Sequence, residues 1–318
     1  MGEPLLKTRI HRIEYAAQDV RIFELRSPAG AALPAFSAGA HIDLHIPGGI
    51  SRSYSLLNHS RERHRYLVGI QREPMSRGGS AWMHDSARVG GLVEISAPRN
   101  HFAMVEDAPH SVLIAGGIGI TPLWSMVQRL EELGRNWTLH YRARSRAIAP
   151  LLDALDAPER RSHVHIGFSD ESDGQRLDLA RVVAEAPEGA HLYCCGPNAM
   201  IDAFEVACVG LPSERVHVEH FAARELAATQ GGYTVRLARS TRSVVVQPGQ
   251  TILESLRACG VIVPSSCQQG VCGACETPVL QGQPDHRDLV LSEAEKASGK
   301  TMMICCSGSH TNELVLDL

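Results

Sequence analysis

The sequence predicts a multidomain chain: an antiparallel β-barrel, then a parallel α/β sheet, then a small α+β domain. Three observations predict it. The first third holds six short strand-like segments punctuated by Gly and Pro. From about residue 111, strands and helices alternate. After residue 232 the pattern starts afresh, and five of the nine cysteines fall between 267 and 306. A chain of 318 residues is also too long for one module at about 100–200 residues per domain. The hydrophobic fraction of 44% and charged fraction of 21% suit a folded globular protein. With a net charge of −4 and no long basic stretch, nucleic-acid binding is not expected. No apolar run is long enough to span a bilayer. The charged amino-terminal stretch lacks a signal-peptide centre. The expected location is the cytoplasm, with no membrane or nucleic-acid partner.

Alternation and β-branched residues mark Leu5–Tyr15, Val20–Ser27, His41–Pro47, Ile50–Asn58, His64–Glu73 and Leu92–Arg99. Short strands with turn residues between them are barrel-like. This region carries 13 Lys and Arg against 9 Asp and Glu, which suits an anionic cofactor. The next region opens on the apolar strand Ser111–Gly117 and the helical stretch Thr121–Gly134. Strand and helix then alternate to Phe221, the signature of a parallel sheet covered on both faces. Ligands of such sheets sit beyond the carboxyl ends of the strands. Residues 222–232, small and polar with a Gly pair, resemble a linker. Tyr233–Ser240 and Arg242–Gly249 read as a hairpin, Thr251–Gly260 as a helix and Glu313–Leu318 as a closing strand. The expected domains are 1–105, 106–224 and 233–318, with 225–232 as linker.

Cys267, Cys272 and Cys275 are spaced C-x4-C-x2-C, and Cys305 follows thirty residues later. This is the plant-type ferredoxin spacing for a [2Fe–2S] cluster. Structural zinc, the competing reading, usually shows two close Cys/His pairs instead. Gly270 and Gly273 permit positive φ and let backbone N–H groups turn towards the sulfurs. Cys306 stands beside Cys305 and leaves the fourth ligand open between them. His41, Asp43 and His45 share one strand face, as do His163 and His165. With sixteen histidines in the chain such alignments are expected by chance.

Gly116, Gly117 and Gly119 lie between a strand and a helix that Thr121 and Pro122 open. Thr suits an N-cap and Pro suits the first turn. Glycines let backbone approach a pyrophosphate, and a helix amino end supplies free N–H groups. The turn is not G-x-G-x-x-G, and Arg142 and Arg144 stand where an acidic residue would favour NAD; by the same rule an Arg there favours a 2′-phosphate and hence NADP, which leaves NADH and NADPH open.

These residues together resemble the reductase family that includes phthalate dioxygenase reductase and vanillate O-demethylase reductase. Arg52-Ser53-Tyr54-Ser55 resembles the family's R-x-Y-S flavin motif. Gly116–Pro122 resembles its nucleotide loop, and Cys195-Gly196-Pro197 its C-G-P motif. The resemblance implies an FMN barrel, an NAD domain and a β-grasp [2Fe–2S] ferredoxin. It implies that Arg52 pairs with the FMN phosphate, that Tyr54 packs on the isoalloxazine and that Ser55 reaches towards its N5. Gly78, Gly79 and Ser80 resemble the second flavin-phosphate segment. Phe221 resembles the aromatic that covers the flavin, and Cys195 sits where the nicotinamide would lie. The implied activity is NADH-dependent electron transfer through FMN and the cluster to a Rieske-type oxygenase. A cytochrome P450 acceptor and a redox sensor are the alternatives.

Overall fold

The computed structural model describes residues 4–171 and 176–318. Two compact units make up the chain, one ending at Phe221 and one spanning Ala222–Leu318.

The first unit begins with strands β1 (Leu6–Ala17), β2 (Val20–Arg26), β3 (His41–Ile46), β4 (Ile50–Ser55), β5 (Tyr66–Gln71) and β6 (Leu92–Ile95), with helix α1 at Gly79–Asp85. They form one sheet in the order β4-β3-β6-β1-β2-β5. Every pair in it is antiparallel. The two edge strands meet through a Leu56–Val68 bridge and a Leu57 N–H to Leu67 carbonyl bond of 3.0 Å, which closes the sheet. Closure removes the unpaired edges of an open sheet. Phe23, Leu25, Ile42, Leu44, Val68 and Ile70 fill the interior.

The rest of this unit runs β7 (Ser111–Gly116), α2 (Ile120–Leu133), β8 (Trp137–Ala143), α3 (Leu152–Leu155), β9 (Val164–Phe168), α4 (Leu179–Ala184), β10 (His191–Cys195), α5 (Asn198–Ala207) and β11 (Val216–Glu219). The sheet order is β11-β10-β7-β8-β9, and all four pairs are parallel. The central β7 is buried along its whole length. Its Leu113 and Ala115 share a core with Leu123 and Val127 of α2, while Val112 and Ile114 share one with Ile201 and Phe204 of α5. That two-sided burial explains the unbroken apolar run in its sequence.

The second unit contains β12 (Tyr233–Leu237), β13 (Ser243–Val246), α6 (Ile252–Ala258), β14 (Glu276–Gln281), β15 (Pro284–Asp285), α7 (Glu293–Ser298), β16 (Thr301–Met303), β17 (Gly308–Ser309) and β18 (Glu313–Leu316). Its main sheet runs β13-β12-β18-β14-β16. The expected hairpin is β12 with β13, and the closing strand β18 lies parallel to β12. Helix α6 starts with a capping box between Thr251 and Glu254 and buries Ile252, Leu253 and Leu256 against the sheet. Residues 225–232 pack onto this unit. The Ala228 N–H donates to the Cys306 carbonyl at 2.7 Å, Gly249 N–H donates to the Thr229 carbonyl at 2.8 Å, and Glu225 pairs with Arg287 at 2.7 Å.

Leu123 is fully buried between α2 and the parallel sheet. Leu123→Ala should destabilise the first unit by about 2–5 kcal/mol. Calorimetry should show that unit's transition at lower temperature, with the transition of the other unit unmoved.

Candidate functional site

Three groups of residues matter, and each rests on a local feature of the backbone. On β4, alternation places Arg52 and Tyr54 on one face and Ser55, 5% exposed, on the other. The Arg52 guanidinium donates to the Ser51 carbonyl at 2.7 Å and to the Arg77 carbonyl at 3.0 Å. A Cβ on Gly79 would lie 2.5 Å from Arg52 Cγ, so the arginine stem passes directly over this glycine. Gly78, at φ 94°, makes the turn into α1. Two segments 25 residues apart in sequence are thus brought together. Ser80 behaves differently. Its hydroxyl accepts from the Glu73 N–H and donates to Ser76, which ties down the preceding loop. Burial pushes the Tyr54 phenol up to about 12, so it stays neutral.

The second group lies at the carboxyl ends of β7, β10 and β11. A Cβ on Gly119 would stand 2.2 Å from the Cys195 carbonyl oxygen and 2.9 Å from Gly196 N. A Cβ on Gly116 would meet Pro197 Cδ at 2.7 Å. The Gly-rich turn and the Cys195-Gly196-Pro197 turn therefore touch backbone to backbone, a contact only glycine allows. Gly117 takes φ 56° between them. Helix α2 begins at Ile120 as a direct continuation of the tight turn Gly117–Gly119, whose Gly117 carbonyl accepts the Ile120 N–H, and Gly119 at the N-cap has no side chain to cap it. Thr121 is not the cap that its sequence position suggests. It lies one residue inside the helix, and its hydroxyl donates back to the Ile118 carbonyl at 2.9 Å. Thr121 Cγ2 also stands 2.8 Å from the Cβ position of Gly69 on barrel strand β5, so the nucleotide-type turn abuts the barrel.

Cys195 is fully buried, and burial keeps its thiol protonated. It donates to Glu219 Oε2 at 3.9 Å across the β10–β11 pairing. Glu219 was not singled out by sequence. Its one signal is that it ends a strand in register with Cys195. Part of the residue reaches the surface, but burial of its carboxyl pushes the pKa up to about 8. Phe221, two residues beyond β11, is 39% exposed and presents an aromatic ring near the same strand ends.

The third group is the cysteine loop. Cys267, Cys272, Cys275 and Cys305 are all buried. Four cysteine thiolates are what a [2Fe–2S] centre requires, and these four would supply them. Backbone N–H groups face the sulfurs. Gln269 N–H donates to Cys267 Sγ at 3.3 Å, Cys267 N–H to Cys272 Sγ at 3.5 Å, and Gly270 N–H reaches Cys305. Gly270 and Gly273 take φ 70° and 73°, as this geometry demands. Gln268 does so too, at φ 55°, a strained conformation that a non-glycine residue signals poorly in sequence.

The comparisons with known proteins agree with this arrangement. Residues 113–205 match the oxidoreductase NAD-binding domain, and residues 235–308 match the 2Fe-2S iron-sulfur cluster binding domain. The chain is 66% identical to the phenoxybenzoate dioxygenase subunit beta of Ectopseudomonas oleovorans, over 98% of this chain and 96% of that one. It is 50% identical to the tetrachlorobenzoquinone reductase of Sphingobium chlorophenolicum, over 97% of each. A solved phthalate dioxygenase reductase, modular in its electron transfer from pyridine nucleotides to [2Fe-2S], superposes with a TM-score of 0.77 at 40% identity, covering 99% of this chain and 98% of that one. The described residues include no helix long and apolar enough to cross a membrane. By its motifs, its domain order and these similarities, the chain belongs to the phthalate dioxygenase reductase family of flavin and [2Fe–2S] electron-transfer proteins.

Proposed function

We propose that this protein is the NADH-dependent reductase of an aromatic-ring or O-demethylating Rieske-type oxygenase system in the cytoplasm. The observation that carries the reading is the Gly116–Gly119 turn, pressed onto Cys195-Gly196 on one side and against barrel strand β5 on the other. That contact would set a dinucleotide beside a flavin-type barrel. The dioxygenase subunit at 66% identity supports the partner class. Nine cysteines without a disulfide suit the cytoplasm.

In this reading, residues 1–105 hold FMN, 106–224 hold NADH and 233–318 hold the cluster, with 225–232 joining them. The chemistry that the bound groups supply is conversion of a two-electron hydride into single electrons. The chain's own work is placement. Arg52 would pair with the FMN phosphate, helped by the backbone of Gly78, Gly79 and Ser80, while Tyr54 and Ser55 border the ring. The turn into α2, with Gly116, Gly117, Gly119 and Thr121, would hold the NADH pyrophosphate. Cys195, Gly196 and Pro197 would form the floor under the nicotinamide. The uncharged Cys195–Glu219 pair would keep that floor free of a negative charge. Phe221 would cover the flavin and exclude water until nicotinamide displaces it. Cys267, Cys272, Cys275 and Cys305 would bind the irons.

The test is reconstitution with an aromatic-ring or O-demethylating Rieske oxygenase, with tetrachlorobenzoquinone and a cytochrome P450 as comparison acceptors. NADH-driven turnover should be fastest with the oxygenase; a faster quinone or P450 reaction would reassign the acceptor. Gly119→Val, whose side chain would collide with the Cys195 carbonyl, should cut the rate of reduction by NADH at least tenfold while flavin and cluster absorbance remain. Arg52→Ala should lower the flavin retained through gel filtration, and full retention would count against its role. Glu219 has a folded pKa raised above its usual 4.5. Its contribution to stability is therefore complete below about 4.5 and lost as pH rises through about 8. Thermal stability of the first unit should decline across that range, and Glu219→Gln should flatten the decline.

A further inference from the structure

We propose that Arg242, Arg257, Ile262, Pro264 and Gln268 form the surface on which the oxygenase docks, and that this surface takes an acidic face with an apolar spot at its centre. The inference rests on the reading of the acceptor as a Rieske-type oxygenase and adds where, and by what chemistry, that partner binds.

The contacts within the second unit make these residues one patch. Arg242, just before β13, donates to the Cys259 carbonyl at 2.6 Å, where α6 ends. Arg257, in the last turn of α6, donates to Ser265 Oγ. Segment 259–265 is thus clasped by an arginine at each end, and it leads directly to Cys267. Inside the clasp, Val263 is buried in the core of the unit, while Ile262 beside it is 95% exposed. Among the described residues it is the most exposed large apolar side chain. Pro264 is exposed next to it, and Gln268, exposed and held at φ 55°, carries the patch past the first cysteine of the loop.

Charge sets this patch apart from the rest of the unit. Arg236, Arg239 and Arg287 are ion-paired with Glu313, Asp317 and Asp285. Arg242 and Arg257 bond only neutral oxygens, and neither forms an ion pair among the described residues. The carboxylates nearest in sequence are engaged elsewhere. Glu254 accepts from Thr251 in the capping box of α6, and Glu276 accepts from the Thr301 hydroxyl. Two uncompensated cations therefore flank an isoleucine that stands in water. Residues 233–318 hold seven basic and eight acidic side chains, so bulk charge selects no partner and a local patch must. Arginines around a desolvated apolar centre are the composition of an interface. The matching surface presents carboxylates around an apolar spot. A patch this small suits a partner that must leave after each electron, since electron-transfer encounters bury less than about 1,200 Å². Docking here sets the acceptor against the loop that carries Cys267, Cys272 and Cys275.

The experiment is NADH-driven turnover at increasing concentrations of a Rieske oxygenase, comparing wild-type holoprotein with Arg242→Glu, Arg257→Glu and Ile262→Asp. Cluster absorbance and ferricyanide reduction serve as internal controls. Each substitution should raise the KM for the oxygenase about tenfold and leave ferricyanide reduction unchanged. The wild-type KM should rise with salt, and that of the double variant Arg242→Glu, Arg257→Glu should not. A KM that stays at the wild-type value in all three single variants overturns the docking surface and leaves the reading of the acceptor standing. A wild-type protein that reduces ferricyanide but drives no Rieske oxygenase overturns that reading, and the proposal with it. If a variant loses its cluster, Cys259 in the wild-type holoprotein decides. It is the only exposed cysteine and lies inside the clasp. The oxygenase should slow its alkylation by iodoacetamide at least threefold, as burial of the patch requires. An unchanged alkylation rate overturns the proposal.

Discussion

A hydride delivers two electrons at once, and an iron–sulfur centre accepts them one at a time. That mismatch governs the architecture. It demands a converter between donor and acceptor. The chain accordingly carries sites for three redox groups on three kinds of scaffold. The barrel gives a rigid strand face for a flavin. The parallel sheet gives carboxyl-terminal strand ends for a dinucleotide. The small α+β unit carries three cysteines in one loop and a fourth, Cys305, in a later turn.

Within the first unit, the decisive contacts are made by glycines. Gly116 and Gly119 allow two turns to meet backbone to backbone, and Gly69 leaves room for Thr121 against the barrel. Gly79 leaves room for Arg52. Side chains at any of these positions would push those surfaces apart. The electrostatics follow the same logic. The strand ends around Cys195 and Glu219 hold two ionisable groups, and burial keeps both neutral.

Much of this was legible in the sequence because the signals are local. Three cysteines in nine residues report their purpose by spacing alone. Arg52 and Tyr54 lie two apart on a strand, and the strand's period puts them on one face. The apolar run of β7 announces a strand buried on both sides. What the sequence hid depends on register or on distant partners. Glu219 matters because β10 and β11 align it with Cys195, 24 residues away. Residues 225–232 are small and polar like a free linker, yet Glu225 and Ala228 are fastened by Arg287 and Cys306, which follow much later in the chain. The cap of α2 shifted from Thr121 to Gly119 because the chain must pass beneath Cys195, and only glycine fits there. Ser80 serves its own loop through Ser76, a contact no motif encodes.

The most direct measurement is anaerobic titration of the flavin- and cluster-loaded protein with NADH, followed by absorbance and EPR together. The account predicts that bleaching of the flavin is accompanied by an EPR signal from a reduced [2Fe–2S] centre at no more than one equivalent of NADH. Complete flavin reduction with the iron centre left EPR-silent, at potentials where dithionite reduces it, would contradict it.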